Sequence, residues 1–329
     1  MTTTKTSPST ASLSVVVLNY NSFELTIDLL RSLAEHELVD WMSVIVVDNN
    51  SPNDSYQEIK NAVASNRWDA WCRIVKSEQN GGFSAGNNLA LVETTSTHVI
   101  LLNSDTLVEA PSLTRLSQIA DEQPDAAIFS PRLQWADGTA QNSCFRFFRP
   151  LTELVNAAGS GPITRLFPAA TVPWETDGQG GHLACEPDWV SFACVLIRRE
   201  VIEQIGLMDD DFFMYYEDID FCRRARNAGY LIRHVPDTKV VHLRGGSSPV
   251  KSLQTQRKRR PRYYYAARAR YYAKHFGRFG LFRANCFWLL GRGIAFCREA
   301  GGRRPPHACE AEWKDIWINF WNPLTGRHR

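Results

Sequence analysis

The chain has 329 residues, of which 44% are apolar and 22% charged. That composition excludes a disordered protein, and the length allows one large domain or one domain with an appendage. The net charge of +2 hides an asymmetry: residues 238–298 hold 15 of the 37 Lys and Arg and no Asp or Glu. A basic last third on a more acidic body calls for an anionic partner, whether phosphates, an anionic membrane surface or nucleic acid. The eight cysteines form no CxxC pair and show no zinc-site spacing, which fits free thiols in a reducing compartment and a cytoplasmic location.

In chain order, residues 1–12 are rich in Thr and Ser without an apolar core. They read as a disordered lead, not a secretory signal. Residues 13–18 are a largely apolar run centred on three β-branched valines, expected as a strand buried on both faces. Helical spacing follows at Phe23, Ile27, Leu30 and Leu33, then a second buried strand over 44–47 ending at Asp48. A helix is expected over 55–65, a short strand over 73–76, a glycine-rich turn over 80–88, a helix over 85–94 and a strand over 98–102. Strand–helix alternation with short links predicts a doubly wound α/β layer, with ligands bound beyond the carboxyl ends of its strands. A surface helix is expected over 111–121, and 137–185, interrupted by Gly and Pro, reads as a long irregular insertion. Further expectations are a buried strand over 189–197, helices over 199–205 and 218–228 stopped by Gly206 and Gly229, and short strands over 230–234 and 239–242. A Gly/Ser and then basic linker over 245–261 leads to helix over 262–300 and an amphipathic tail with Trp313, Trp317 and Trp321. No apolar run reaches the ~18 residues of a membrane span; 281–297 is broken by Arg283 and Arg292.

Several acidic positions sit where strands end. Asp48 could accept the imino N–H of a pyrimidine base or a ribose hydroxyl, or could cap the helix after Pro52. Gly81, Gly82 and Gly86 would let backbone N–H groups approach a ligand, or could simply form a turn. Asp105, in Asn103-Ser104-Asp105, suits a hard divalent cation that shares a pyrophosphate, or a cap near Pro111. Glu217, Asp218 and Asp220 follow a stretch of aromatics. A partly desolvated carboxylate there becomes a better base, while its neighbours suit a helix N-terminus. His242 ends another strand and could complete a metal site with Asp105, although a lone His is more often structural. Arg244, Ser247 and Ser248 could contact a diphosphate. Residues 257–278 interleave nine Lys and Arg with five Tyr, a composition that suits stacked bases or a membrane surface.

Taken together, these ordered motifs resemble glycosyltransferase family 2, inverting enzymes of the GT-A fold, and within it the rhamnosyltransferase-like branch. They are Val15-Val16-Val17-Leu18-Asn19-Tyr20-Asn21, Val47-Asp48-Asn49-Asn50-Ser51, residues 80–88, Leu101-Leu102-Asn103-Ser104-Asp105 and Glu217-Asp218-Ile219-Asp220. The resemblance implies a mixed, mostly parallel sheet flanked by helices over 13–250, nucleotide-binding in its first half and acceptor-binding in its second. A basic, aromatic helical extension would follow over 251–329. It places Asn19, Asn21, Asn80, Gly82, Asn87, Asn103 and Ser104 at the nucleotide sugar and Asp48 at its base. It makes Asp105 and His242 ligands of Mg²⁺ or Mn²⁺, with Asn103 standing where the family's metal motif usually has its first Asp. Asp218 becomes the catalytic base, Glu217 its acidic neighbour and Trp189 an acceptor wall.

The implied reaction moves a sugar, such as rhamnose from dTDP-rhamnose, to a glycan or lipid-linked acceptor in cell-envelope polysaccharide synthesis. A UDP-hexose donor shares every motif. The free thiols and the basic, aromatic segment point to the cytoplasm, with peripheral contact at the anionic inner face of the membrane, and no nucleic acid is expected. A nucleotidyltransferase or nicotinamide enzyme would leave the Glu217-Asp218 stretch unexplained and lacks a dinucleotide fingerprint. A nucleic-acid binder using the Tyr-rich segment would leave the acidic strand ends unexplained.

Overall fold

The computed structural model describes residues 12–174, 181, 183–243, 250–302 and 307–325. Arg244, Ser247 and Ser248, and the expected N-terminal lead up to residue 11, lie outside the described residues. In the first half strand and helix alternate: β1 (Leu13–Asn19), α1 (Phe23–His36), β2 (Met42–Asp48), α2 (Ser55–Ser65), β3 (Cys72–Lys76), α3 (Gly82–Leu91), β4 (His98–Asn103), β5 (Thr106–Leu107), α4 (Ser112–Glu122) and β6 (Ala126–Gln134). The second half holds β7 (Cys144–Phe145), α5 (Pro150–Ala158), α6 (Gly161–Leu166), β8 (Trp189–Val190), β9 (Cys194–Arg198), α7 (Arg199–Ile205), α8 (Glu217–Asn227), β10 (Leu231–His242), α9 (Val250–Thr255), α10 (Arg262–Ala300) and α11 (Glu312–Asp315).

Eight strands form one sheet in the order β3-β2-β1-β4-β9-β6-β10-β5. β9 runs antiparallel to β4 and β6, and β5 antiparallel to β10; the other pairs are parallel. The central strands are apolar throughout because both faces are covered. Val15, Val17, Val44 and Val46 pack with Leu29, Leu30, Leu33 and Ile59 of α1 and α2. Val16, Ile45, Val47 and Leu101 face the other way, in a cluster with Ala90 and Leu91 of α3, Phe221 of α8 and Tyr271 and Tyr272 of α10. Each such aliphatic side chain contributes about 1.5–3 kcal/mol on full burial.

This topology puts Asn19, Asp48, Asn103 and His242 on one edge. Asn19 pairs in register with Asp48, and Leu18 with Asn103, so β1, β2 and β4 end side by side. Two antiparallel steps across β9 return β6 and β10 to the direction of β4, so His242 also lies at this carboxyl edge. The segment from β4 to β5 crosses the same edge, its start held by Asn103 N–H donating to Ala193 O at 2.9 Å.

Four expectations need correction. Residues 137–185 are not wholly irregular: they include β7, α5 and α6, and α5 buries Leu154, Val155, Ala157 and Ala158, chiefly against α10. The strand expected over 189–197 splits into β8, which pairs with β7 in a two-stranded sheet, and β9 of the main sheet. The two strands expected over 230–242 are one, irregular between Val235 and Lys239. That bulge faces Pro131 of β6, where a missing N–H costs nothing. Residues 250–255 of the expected linker are helical.

Candidate active site

At the ends of β1 and β2, Asp48 is fully buried. Its Oδ1 accepts from Asn19 Nδ2 at 2.8 Å and Ser51 Oγ at 2.6 Å, and its Oδ2 from Ser51 N–H at 3.2 Å. Thr26 Oγ1 donates to Asn19 Oδ1 at 2.9 Å and fixes that amide. Asp48 therefore organises its own turn and does not cap α2, where Ser55 N–H donates to Asn53 Oδ1 instead. Asn21 stands at the exposed rim in the left-handed region (φ 58°), its N–H donating to Ser51 Oγ at 2.8 Å.

The glycine turn is bound to this corner. Asn49 Nδ2 donates to Asn80 Oδ1 and Gly82 O, both at 3.0 Å, and Gly82 N–H donates to Asn80 Oδ1 at 3.0 Å. Gly82 has φ +84°, and a Cβ there would lie 2.0 Å from Phe213 O. Phe83 N–H donates to that same oxygen at 2.7 Å. Asn87 is buried, its Nδ2 donating to Phe83 O at 2.9 Å. Asn88, not singled out from the sequence, exchanges two hydrogen bonds with the backbone of Met208 at 2.8 and 3.1 Å. The turn thus joins the Asp48 corner to the segment that leads into α8.

Asp105 and His242 meet at the β5–β10 side of the edge. Asp105 is buried, with its Oδ1 3.4 Å from His242 Nε2. Gln141 Nε2 donates to His242 O at 2.6 Å, so its Oε1, 3.2 Å from His242 Nδ1, is the acceptor. Nδ1 then carries the ring proton, and the Nε2 lone pair points at a carboxylate oxygen. Two facing electron pairs need a proton or a cation between them, and an imidazole oriented through its other nitrogen is the usual arrangement of a metal-binding His. The pair fits a divalent cation that takes its remaining ligands from water and diphosphate oxygens. Among the described residues no group of three or more His, Cys, Asp or Glu could hold a metal unaided. Ser104 Oγ lies 3.3 Å from Ser22 Oγ, linking this segment to the start of α1, while Asn103 is half-buried.

The carboxylates of α8 differ sharply in environment. Tyr215 and Tyr216 both have positive φ (72° and 69°), uncommon for bulky residues and a sign that packing holds this turn in place. Asp218 is half-buried, and burial pushes its carboxyl up to about 7. Burial, then the charge of Asp218, holds buried Glu217 well above the ordinary carboxylate range. Asp220 goes the other way: against its burial, a hydrogen bond from His275 and the charges of Lys274 and Arg224 hold it well below that range. Neighbouring carboxylates set apart in this manner are suited to different tasks. Trp189 is buried, stacked on Phe145 with centroids 4.2 Å apart, its indole N–H donating to Arg146 O at 3.0 Å. Phe148 bridges it to Tyr216, the residue before Glu217, at centroid distances of 6.3 and 5.7 Å.

The described residues therefore give a polar corner at Asp48, a carboxylate–imidazole pair at Asp105 and His242, and a carboxyl at Asp218 that burial raises to about 7. Ser22, Ser51, Asn49 and Gln141 support it. Of these, Asn49 and Ser51 stood inside a quoted motif, whereas Gln141 gave no local signal.

Comparison with known proteins agrees. The profile "Glycosyl transferase family 2" matches residues 14–156, and "Glycosyl transferase family group 2" matches residues 187–297. The low-salt glycan biosynthesis hexosyltransferase Agl10 of Haloferax volcanii is 27% identical over 70% of this chain and 66% of its own length. The N-acetylglucosaminyl-diphospho-decaprenol L-rhamnosyltransferase of Mycobacterium tuberculosis is 30% identical over 46% of this chain and 48% of its own. The chain thus spans less than two-thirds of either relative. The mannosyltransferase PcManGT from Pyrobaculum calidifontis, solved in complex with GDP-Man and Mn²⁺, superposes with a TM-score of 0.52 at 15% identity, over 95% of this chain and 86% of that one. The fold is the GT-A architecture of glycosyltransferases. The chain belongs to glycosyltransferase family 2, whose models together span most of it.

Proposed function

We propose that this chain transfers a hexosyl group, with L-rhamnose from dTDP-rhamnose the leading donor, to a glycan or lipid-linked acceptor, inverting the anomeric configuration. The nucleotide lies across the ends of β1, β2 and β4, with its base at Asp48 and its ribose toward Asn19 and Asn21; Asn80, Gly82 and Asn87 shape the pocket floor. Asp105 and His242 hold Mg²⁺ or Mn²⁺ with the diphosphate beside Asn103 and Ser104. A bound cation supplies charge neutralisation for the departing diphosphate. Asp218 accepts the proton of the acceptor hydroxyl while that oxygen forms a bond to the anomeric carbon. The bond from that carbon to the diphosphate breaks, and the nucleoside diphosphate leaves. Burial raises the Glu217 carboxyl beside it, which favours its protonated form and lessens the charge against which Asp218 ionises. Trp189, through Phe148 and Tyr216, backs the acceptor side.

The observation that carries this reading is the placement of Asp218. Burial raises its carboxyl to about 7, and it follows by five residues Phe213, whose carbonyl accepts from Phe83 N–H in the glycine turn beside Asn49. The rhamnosyltransferase relative favours rhamnose and a lipid-linked acceptor. The experiment is a thermal-shift panel of dTDP-, UDP- and GDP-sugars with Mn²⁺ or Mg²⁺, followed by turnover with the sugar that stabilises most. A dTDP-rhamnose shift that needs metal and disappears in Asp105→Ala supports the reading. No shift with any nucleotide sugar would sink it, and a shift confined to UDP-hexoses would replace rhamnose by that donor.

A further inference from the structure

The second half of α10 has a feature that sugar transfer does not use. The helix breaks at Gly277 (φ 69°, ψ 175°) and continues to Ala300. Beyond the break Leu281, Ala284, Asn285, Trp288, Gly291 and Ala295 are buried, and a Cβ on Gly291 would lie 2.6 Å from Leu154 O of α5. The opposite face is also apolar, yet it is exposed: Phe279, Phe282, Leu289, Leu290 and Phe296. At about 100° per residue these five fall on one side of the helix. Phe279 is 69% and Phe296 66% exposed. Rings from the tail extend the face, with Phe282 6.4 Å from Phe320 and Phe320 5.1 Å from the exposed Trp321. A contiguous apolar face of this kind marks an interaction site.

Charge selects the partner. Residues 262–300 contain one acid, Glu299, and Arg292 pairs with it at 3.0 Å. Exposed Arg283 sits over this face, its guanidinium 5.9 Å from the Phe279 and Phe287 rings, and Arg278, exposed one residue before Phe279, donates one of its N–H groups to Trp321 O and keeps the others toward solvent. Aromatic and aliphatic side chains rimmed by arginines suit the headgroup layer of an anionic bilayer. No helix among the described residues is long and apolar enough to cross a membrane, so the helix would lie along the surface. A two-fold pairing of this face with a second copy would set arginines against arginines without an acid on the face to offset them.

We propose that residues 278–297 dock flat on an anionic phospholipid bilayer, with Phe279, Phe282, Leu289, Leu290 and Phe296 entering the headgroup–acyl boundary and Arg278 and Arg283 meeting lipid phosphates. Docking itself stands apart from the transfer chemistry. Its consequence rests on that chemistry. The first half of α10 grips the base segment through His275–Asp220 at 2.8 Å and Lys274–Asp209 at 2.6 Å. Docking would therefore set Asp218 at a fixed orientation to the surface, as a lipid-linked acceptor needs.

The test uses the full chain without nucleotide sugar, cosedimented with vesicles of phosphatidylcholine or of equal parts phosphatidylcholine and phosphatidylglycerol. The chain should bind the mixed vesicles, bind pure phosphatidylcholine much more weakly, and lose binding as salt rises. Phe279→Ser combined with Phe296→Ser, and separately Arg283→Glu, should each weaken binding about ten-fold or more. Because these side chains are exposed, an unchanged melting temperature should accompany both. No vesicle binding, equal binding to both compositions, or variants that bind like the parent would overturn the proposal. So would a dimer in sedimentation equilibrium that the Phe279→Ser, Phe296→Ser chain no longer forms, since a second copy would then be the occupant.

Discussion

Replacing Asp218 by Asn should slow transfer and stabilise the fold at the same time. Burial raises this carboxyl from its ordinary value of 3.8 to about 7. Between those values the native state holds a proton that the unfolded chain releases. The native state binds more protons there, so stability is greatest below the unfolded pKa and falls as pH rises through the native one. At about 1.4 kcal/mol per pH unit, holding this carboxyl near 7 instead of 3.8 costs at most ~4 kcal/mol above neutrality, and less to the extent that water reaches the half-buried side chain. Asn has nearly the same shape and no charge to desolvate. Asp218→Asn should therefore melt several degrees higher than the parent at about pH 8, and the two should converge below about pH 4. Turnover goes the other way. Loss of a general base costs about 10²–10⁴-fold, and donor affinity should not change because Asp218 serves the acceptor. Parent turnover should rise with pH to a midpoint near 7. The assay is nucleoside diphosphate release at saturating donor and acceptor, with calorimetry at the two pH extremes. Parental turnover in the variant, or coincident melts above neutrality, would refute the argument.

Three further outcomes follow from the same geometry. Gly82→Ala places a Cβ on Phe213 O in a backbone region that L side chains rarely adopt. It should cost at least ~2 kcal/mol in urea unfolding and weaken donor binding as the turn shifts. Gln141→Leu removes the acceptor that orients His242, and should weaken Mn²⁺-dependent donor binding about 10–100-fold in titration calorimetry while donor binding without metal stays the same. Arg268 is buried against Glu153 at 3.0 Å, and Tyr272 also donates to that carboxylate. Arg268→Met should cost ~3–5 kcal/mol by stranding the charge, and Arg268→Met with Glu153→Leu should recover most of it.

Much of the first half was legible because local and global signals agree there. Residues 13–18 and 44–47 are too apolar for anything but a strand buried on both faces, and each ends in Asn or Asp at the sheet edge. The helices over 55–65 and 199–205 match their expected bounds, since turn residues punctuate both. What was missed depends on distant partners. β6 carries Pro131, which argues against a strand until the bulge in β10 removes the need for its N–H. α5 sits in a stretch broken by Gly and Pro, and is held there by packing against α10. Gln141 is far in sequence from His242, and only the sheet brings its amide to the imidazole. From sequence, Gly81, Gly82 and Gly86 suit either a ligand's approach or a plain turn; the structure adds that Gly82 closes on Phe213 and Gly86 on Leu18, which fits the turn tightly between β1 and the segment before α8. The mixed charge of 262–300 resolves once Arg292 is neutralised by Glu299 and Arg283 is left on the opposite, exposed side.

The central claim is that one sheet edge receives the activated sugar, with Asp218 facing its acceptor side. A structure of the chain with dTDP or UDP and Mn²⁺ tests it most directly. The account requires the base against Asp48, the diphosphate and metal at Asp105 and His242, and the vacant sugar position between the diphosphate and Asp218. A nucleotide bound on the arginine-rich face of α10, or one at the edge with Asp218 turned away from it, would contradict the account.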